Sequence, residues 1–330
     1  MIKLSANENF YGCSPFVKKV IEENAGSVSV YPDYQQGLLK EKIASKYDVP
    51  VAKIILGVGT VGIIDAIIRL LVKEDEEIIT FERSFVAYGQ LANLYKKKIH
   101  YASLTNFSCD TIAIFPLVNP KTKVVFIANP NNPTGTIINE TQLKAFLNKI
   151  PSSIYVVVDE AYFEYVSDNS FPNTIELQKK HPNLIILRGF SKIYGLAGLR
   201  IGYGIAEEKT AAFLENFRVP FSINSLSSIA AMAALEDQNF VKKCSEQNKM
   251  EREFLVEEIK KIGYNVFPSH GNFLFMFFES NADKESVFNK LSENGLMVCN
   301  LKIFGQENSL RIGVGDRETN KRIIRSLTIH

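Results

Sequence analysis

Four short segments carry reactive side chains at the points where apolar runs end. "IANPNNPTG" (127–135) offers the amide of Asn132 in a loop dense with turn formers. "VVVDEAY" (156–162) sets the carboxylate of Asp159 directly after three valines, with the phenol of Tyr162 three residues on. "NLIILRGFSK" (183–192) ends on the amine of Lys192, and "GLAGLRIG" (195–202) holds the guanidinium of Arg200 among glycines. Each has an ordinary explanation when taken singly. Asn, Pro and Gly make turns for backbone reasons, an acid after a strand caps a following helix, and a lysine snorkels to solvent. Against that, a buried lysine is costly unless it is paired or chemically used, and glycines beside Arg200 permit close backbone approach.

Taken together, the four segments supply what one ligand needs, pyridoxal 5′-phosphate. An amine condenses with its aldehyde, and a carboxylate keeps its pyridine nitrogen protonated so that the ring accepts electrons. Amide and phenol bond the ring oxygen; guanidinium and hydroxyl hold the phosphate.

Such an inventory needs a scaffold that gathers strand ends. The runs "KIILG", "EEIITF", "KVVFIANP", "SIYVVVDEAY", "NLIILRGFSK" and "LRIGYGIAE" are strand-like, while "TVGIIDAIIRLLVKE" and "SFVAYGQLANLYKK" have helical spacing. Near-continuous apolar strands separated by helices imply an α/β domain with a mostly parallel sheet covered on both faces. Ligands of such sheets bind at the carboxyl ends of the strands. Beyond about residue 223 the texture changes. "INSLSSIAAMAALEDQNFVKKCSEQNKMEREFLVEEIKKIG" reads as long helix broken once, followed by the strand "GNFLFMFF", a helix near 283–294, short strands and a final helix after "LRIGVGDRETN". This is a smaller α+β unit, joined by helix rather than by a flexible linker. The expected division is an N-terminal arm (1–25) joining the small domain, a large domain (26–225) and a small C-terminal domain (226–330).

Composition narrows the partners. The chain has 330 residues, 46% hydrophobic and 22% charged, with net charge +2. That balance gives no electrostatic reason to expect nucleic acid or an anionic membrane. No apolar run reaches the roughly 18 to 20 residues that span a bilayer. "MIKLSANENFYG" lacks the basic-then-apolar pattern of a signal peptide. Cys13, Cys109, Cys244 and Cys299 are scattered, as are His100, His181, His270 and His330. Free thiols in a reducing cytosol and no metal site are the expectation.

The segments resemble the fold-type I pyridoxal-phosphate enzymes, specifically the histidinol-phosphate aminotransferase group and its threonine-phosphate decarboxylase relatives. The similarity runs through "ANENFYG" (6–12), "YPD" (31–33), "NPNNPTG", "DEAYFEY", "FSKIYGLAGLR", "GNF" (271–273) and "LRIGVGDRETN" (310–320), in matching order and spacing. The resemblance implies that Lys192 links covalently to the cofactor and later shuttles the substrate proton, and that Asp159 pairs with the pyridine nitrogen. It implies that Asn132 and Tyr162 reach the ring oxygen, and that Ser191, Arg200 and the helix-opening Gly59, Thr60 and Val61 hold the phosphate. Phe85 falls where an aromatic ring stacks on the pyridine. Tyr31 matches a tyrosine that reaches a neighbouring subunit's phosphate, which implies a homodimer. Arg311 and Tyr11 match substrate-binding positions.

Three departures bear on substrate. Val61 replaces an acidic residue at a backbone contact, and Gly189 replaces a threonine near the phosphate. Cys299 stands where relatives carry a second arginine that grips a distal phosphate or carboxylate. Losing that bond removes about 1.5–3 kcal/mol of anion binding; Lys302 compensates only as a point charge on a flexible stem. The implied activity is transamination of a small, phosphorylated amine or ketone with glutamate as amino donor. The alternatives are decarboxylation of a phosphorylated amino acid of the serine or threonine phosphate type, and a non-catalytic cofactor-binding protein.

Overall fold

The computed structural model describes residues 1–328; His330 lies outside them. Its centre is a seven-stranded sheet in the order Ile54–Gly57, Gly202–Ile205, Leu184–Gly189, Tyr155–Asp159, Thr122–Ala128, Glu77–Phe81, Lys98–Ala102. The three consecutive valines of Tyr155–Asp159 explain why it is central. Val156 and Val158 pack into the core on one face and Val157 into the core on the other, all fully buried. Alternation along a strand sends neighbours to opposite faces, so a continuous apolar run requires cover on both.

Six strands are parallel, and Gly202–Ile205 is antiparallel to both its neighbours. Between Gly189 and Gly202 the chain forms only one 3-10 turn, Ala197–Leu199. A parallel return needs a crossover, which this short segment does not make, so the chain doubles back. Arg200 therefore precedes its strand rather than following it, yet reaches the same edge of the sheet as Lys192. The outer strand Lys98–Ala102 carries no continuous apolar run and has only one buried residue, as an edge position allows.

The long helical stretch breaks at Asp237, between Ser225–Glu236 and Gln238–Lys261. The Asp237 carboxylate accepts from the Phe240 N–H at 3.1 Å and caps the second helix. The first of these helices, with Val241 and Cys244 of the second, still packs in the core of the large sheet. Leu255 and Ile259 belong to a separate core with Leu274, Met276, Ile312 and Ile323. That core lies on a four-stranded antiparallel sheet, Asn265–Val266, Phe273–Phe277, Ser309–Gly313, Cys299–Asn300. At the amino end, Ile2–Lys3 pairs in parallel with Leu296–Met297, and Leu4 is buried in the second core. The arm then crosses to the large body, where Ser14 Oγ donates to Asp237 and caps Pro15–Glu23.

Candidate active site

A cavity of about 430 Å³ opens at the carboxyl edge of the large sheet, between the two bodies. Its lining includes Thr60, Val61, Phe85, Asn132, Asp159, Tyr162, Ser191, Lys192, Arg200 and Arg311. Gly59 lies directly behind: a Cβ there would stand 2.5 Å from Arg200 Nη2, and its φ of +69° is left-handed. A Cβ on Gly202 would fall 2.6 Å from the Thr60 nitrogen. Both glycines let the start of the Gly59–Leu71 helix, Ser191 and Arg200 crowd into one cradle. Val58, the helix cap residue, provides no side-chain capping bond, so the first N–H groups of the helix are available to an anion. Arg200 is left-handed (φ 52°), donating to the Ala197 carbonyl at 2.9 Å and to Ser191 Oγ at 3.5 Å.

Asp159, which also lines the cavity, is 4% exposed. Its Oδ2 accepts from the Tyr88 hydroxyl at 3.1 Å and its Oδ1 from the Ala161 N–H at 3.2 Å. It thus both faces the cavity and ties down the turn that follows its strand. Burial pushes its carboxyl up to about 6, while those two bonds and the charge of Lys192 hold it down. Tyr88 stays protonated, since burial and Asp159 drive it well above the ordinary phenol range. Tyr88 stacks on Phe126 (4.8 Å between centroids) and meets Phe85 edge-on at 5.6 Å, so one aromatic group positions both the acid and the Phe85 ring. Beneath, Glu160 pairs with Arg188 at 2.8 Å in full burial and joins the strands that lead to Asp159 and Lys192.

Lys192 is half-buried, not enclosed as the glycine-rich apolar sequence suggested. Its Nζ donates to the Ala6 carbonyl at 3.0 Å and sits 5.4 Å from the Tyr162 ring centroid. That leaves an amine with one neutral partner beside an open cavity. The Tyr162 hydroxyl accepts from Asn7 Nδ2 at 3.0 Å.

The second body closes the other wall. Arg311 is 5% exposed; Nη1 donates to Asn132 Oδ1 and Nη2 to the Ser5 carbonyl at 2.6 Å, while Nε has no partner. The bond to its oxygen leaves the Asn132 nitrogen free to donate. Cys299 pairs with Arg311 in register, so the two side chains stand together on one face, and both line the cavity with Phe304. Burial raises the Cys299 thiol above its usual range, Arg311 opposing, so the position adds no charge.

Two expected residues lie apart from this lining. Tyr11 packs against the large core and Phe10, its phenol pushed up to about 12 by burial and by Glu251, Cys244 and Asp316. Tyr31 is 81% exposed, against Phe221 at 5.0 Å. Ser5, Ala6, Asn7, Glu8, Tyr88 and Phe304 are the additions that sequence reading missed. Tyr88 had a signal, three residues beyond Phe85 at the start of a helical pattern; Ala6, Asn7 and Glu8 lay in the motif "ANENFYG", but without the fold nothing tied them to the cavity.

Pyridoxal phosphate fits this arrangement: an amine with spare capacity, a buried acid, an anion cradle shaped by two glycines, and an unpartnered guanidinium nitrogen. Among the described residues no group of histidines, cysteines and acids could hold a metal, and no helix is long and apolar enough to cross a membrane. Residues 1–327 match the family described as aminotransferase class I and II. A histidinol-phosphate aminotransferase of Geobacillus sp. (strain WCH70) is 39% identical over 328 residues, covering 99% of this chain and 89% of that protein. The structure of histidinol-phosphate aminotransferase from Sinorhizobium meliloti in complex with pyridoxal-5′-phosphate has a TM-score of 0.92 at 26% identity, covering 98% and 89%. L-threonine-O-3-phosphate decarboxylase from Porphyromonas gingivalis shares the fold, with a TM-score of 0.85 at 20% identity over 99% and 98%. Strand ends, cavity and likeness over nearly the full length agree, and the chain belongs to the class I and II aminotransferases, pyridoxal-phosphate enzymes of fold type I, within the histidinol-phosphate aminotransferase-like group.

Proposed function

We propose that this aminotransferase moves an amino group between a small phosphorylated amine, of which histidinol phosphate is the leading case, and the keto acid of glutamate. The observation that carries the substrate reading is Arg311, a buried guanidinium that lines the same cavity as Lys192. The two half-reactions use the site in turn, so one guanidinium can serve the phosphate of one substrate and a carboxylate of the other.

Bound pyridoxal phosphate supplies an aldehyde carbon for the amino group and a ring that draws electrons from the substrate's Cα. The chain's residues do the rest. Gly59, Thr60 and Val61 at the helix start, with Ser191 and Arg200, hold the phosphate; Asn132 and Tyr162 hold the ring oxygen; Phe85 covers a ring face. Asp159, kept in place by Tyr88 and Ala161, holds a proton at the pyridine nitrogen. Lys192 Nζ provides the covalent attachment and then moves the proton at Cα. Arg311, held by Asn132 and Ser5, draws the substrate anion toward the second body and leaves Cα on the Lys192 side.

The reading includes a homodimer, supported by exposed apolar residues: Val28 and Val30 beside Tyr31 in the chain, and Phe221 packed against it. A patch of this kind marks an interaction surface. The three-part division of the chain at 25 and 225, and a cytosolic setting suited to four free thiols, belong to the same proposal.

The test is turnover of holoenzyme with histidinol phosphate and 2-oxoglutarate, followed as glutamate formed. Formation of glutamate supports the assignment. Release of CO₂ from serine or threonine phosphate without any keto acid overturns it in favour of decarboxylation, and failure with both classes overturns the phosphorylated-substrate reading.

A further inference from the structure

Four cations are buried among the described residues: Arg188, Arg252, Lys284 and Arg311. Arg188 is paired with Glu160, and Lys284 with Glu285. Arg311 faces the substrate cavity. Arg252 remains. It lies on Gln238–Lys261, 6% exposed, and Nη1 donates to the Gly271 carbonyl at 2.7 Å. Among the described residues no carboxylate comes within ion-pairing distance, and no aromatic ring stacks against it. A buried guanidinium with one neutral acceptor is poorly compensated for the water it has lost.

Arg252 also lines a second cavity of about 500 Å³ that shares no lining residue with the first. Ser167, Lys260 and His270 line it beside Arg252. Lys260 is exposed, and the half-buried His270 ring has its basicity lowered by burial and then by the charge of Arg252, Asp168 opposing. Two acids, Glu253 and Glu257, occupy the rim, the latter paired with Lys261 at 2.8 Å; they favour an occupant of low charge.

We propose that Arg252 is the floor of an oxoanion-binding site, separate from the active site, that takes the phosphate or carboxylate group of a small molecule. A planar guanidinium fork matches two oxygens of either group, with the Ser167 hydroxyl and His270 ring as further donors. The site is joined to the chemistry through its neighbours. Arg252 holds Gly271; Asn272 Nδ2 donates to the carbonyls of Asn7 and Glu8 at 3.1 Å each; and Asn7 donates to Tyr162. The backbone N–H of His270 donates to the Gly135 carbonyl at 2.8 Å, at the end of the loop carrying Asn132. An occupant therefore tightens the segment that connects the second body to both the arm and the cofactor loop.

The experiment is calorimetric titration of borohydride-reduced holoenzyme with inorganic phosphate and, separately, acetate, at constant ionic strength. Wild type is expected to bind an equivalent of anion that Arg311→Gln retains and Arg252→Gln loses. The double variant Lys260→Gln/His270→Ala, which leaves the buried guanidinium in place, is expected to weaken that equivalent about tenfold, as loss of charge-assisted bonds does. It carries the test if Arg252→Gln does not fold. Binding of acetate as well as phosphate assigns a carboxylate-tolerant site, and of phosphate alone a phosphate site. The proposal is overturned if neither anion binds, or if every bound equivalent survives both variants.

Discussion

Replacing Asp159 by Asn isolates the penalty of keeping a charge ready for the cofactor. The carboxyl is displaced from an ordinary 3.8 to about 6, burial being the largest cause. Because the folded group binds its proton more tightly than the unfolded one, stability from this residue is fully present below about pH 4. It is lost as pH rises through about 6. A displacement of about two pH units corresponds to about 3 kcal/mol. At 4% exposure, solvent screening reduces it little. Asn has the same shape, still accepts from Ala161 through Oδ1 and presents Nδ2 as a donor to the Tyr88 oxygen, which can accept in turn, but carries no charge. Cofactor-free Asp159→Asn is therefore expected to be more stable than cofactor-free wild type at pH 7 by up to about 3 kcal/mol. With about 0.7 kcal/mol per degree for 330 residues, that is about 4 °C in melting temperature. The same variant loses most of its turnover, since nothing then keeps the pyridine nitrogen protonated. The assay is thermal melting of both apo-proteins between pH 4 and 8. A gap that opens from near zero at pH 4 and levels off above pH 6 supports the argument. A variant less stable than wild type at pH 7, or a gap independent of pH, refutes it.

Three further outcomes follow from the geometry. Lys192→Ala should lose activity by about 10²–10⁴-fold, and borohydride should no longer attach cofactor to the peptide around residue 192, read by mass spectrometry after digestion. Gly59→Ala adds a Cβ 2.5 Å from Arg200 Nη2 at a left-handed backbone position, so cofactor affinity measured by equilibrium dialysis should fall about tenfold or more while circular dichroism stays native. Cys299→Arg places a second guanidinium beside Arg311. It should lower KM for a phosphorylated substrate about ten- to hundredfold with kcat little changed; an unchanged KM would show that position 299 does not contact the substrate anion.

Much of the cofactor end of the site was legible in the chain. Asp159, Lys192 and Asn132 were found because apolar runs identify strands and polar residues immediately after them identify strand ends. Local periodicity encodes both, and a parallel sheet aligns those ends at one edge. Arg200 stood out among its glycines, and the resemblance then assigned Gly59 and Arg311 by position. What the chain did not disclose is everything that depends on packing across long separations. The reversal of Gly202–Ile205, which brings Arg200 to the edge from the other side, follows from which strands pair. Asn7, Ser5 and Ala6 meet Tyr162, Arg311 and Lys192 only because the arm is stitched to the second body through Ile2–Lys3. The ionisation of Asp159 is set by how completely the fold removes it from water, and the bare cation at Arg252 by which carboxylates the fold leaves out of reach. Sequence specified the elements and the groups at their ends. Tertiary structure decided which groups share a cavity and in what charge state, because desolvation and long-range contact are properties of the packed whole and of no segment within it.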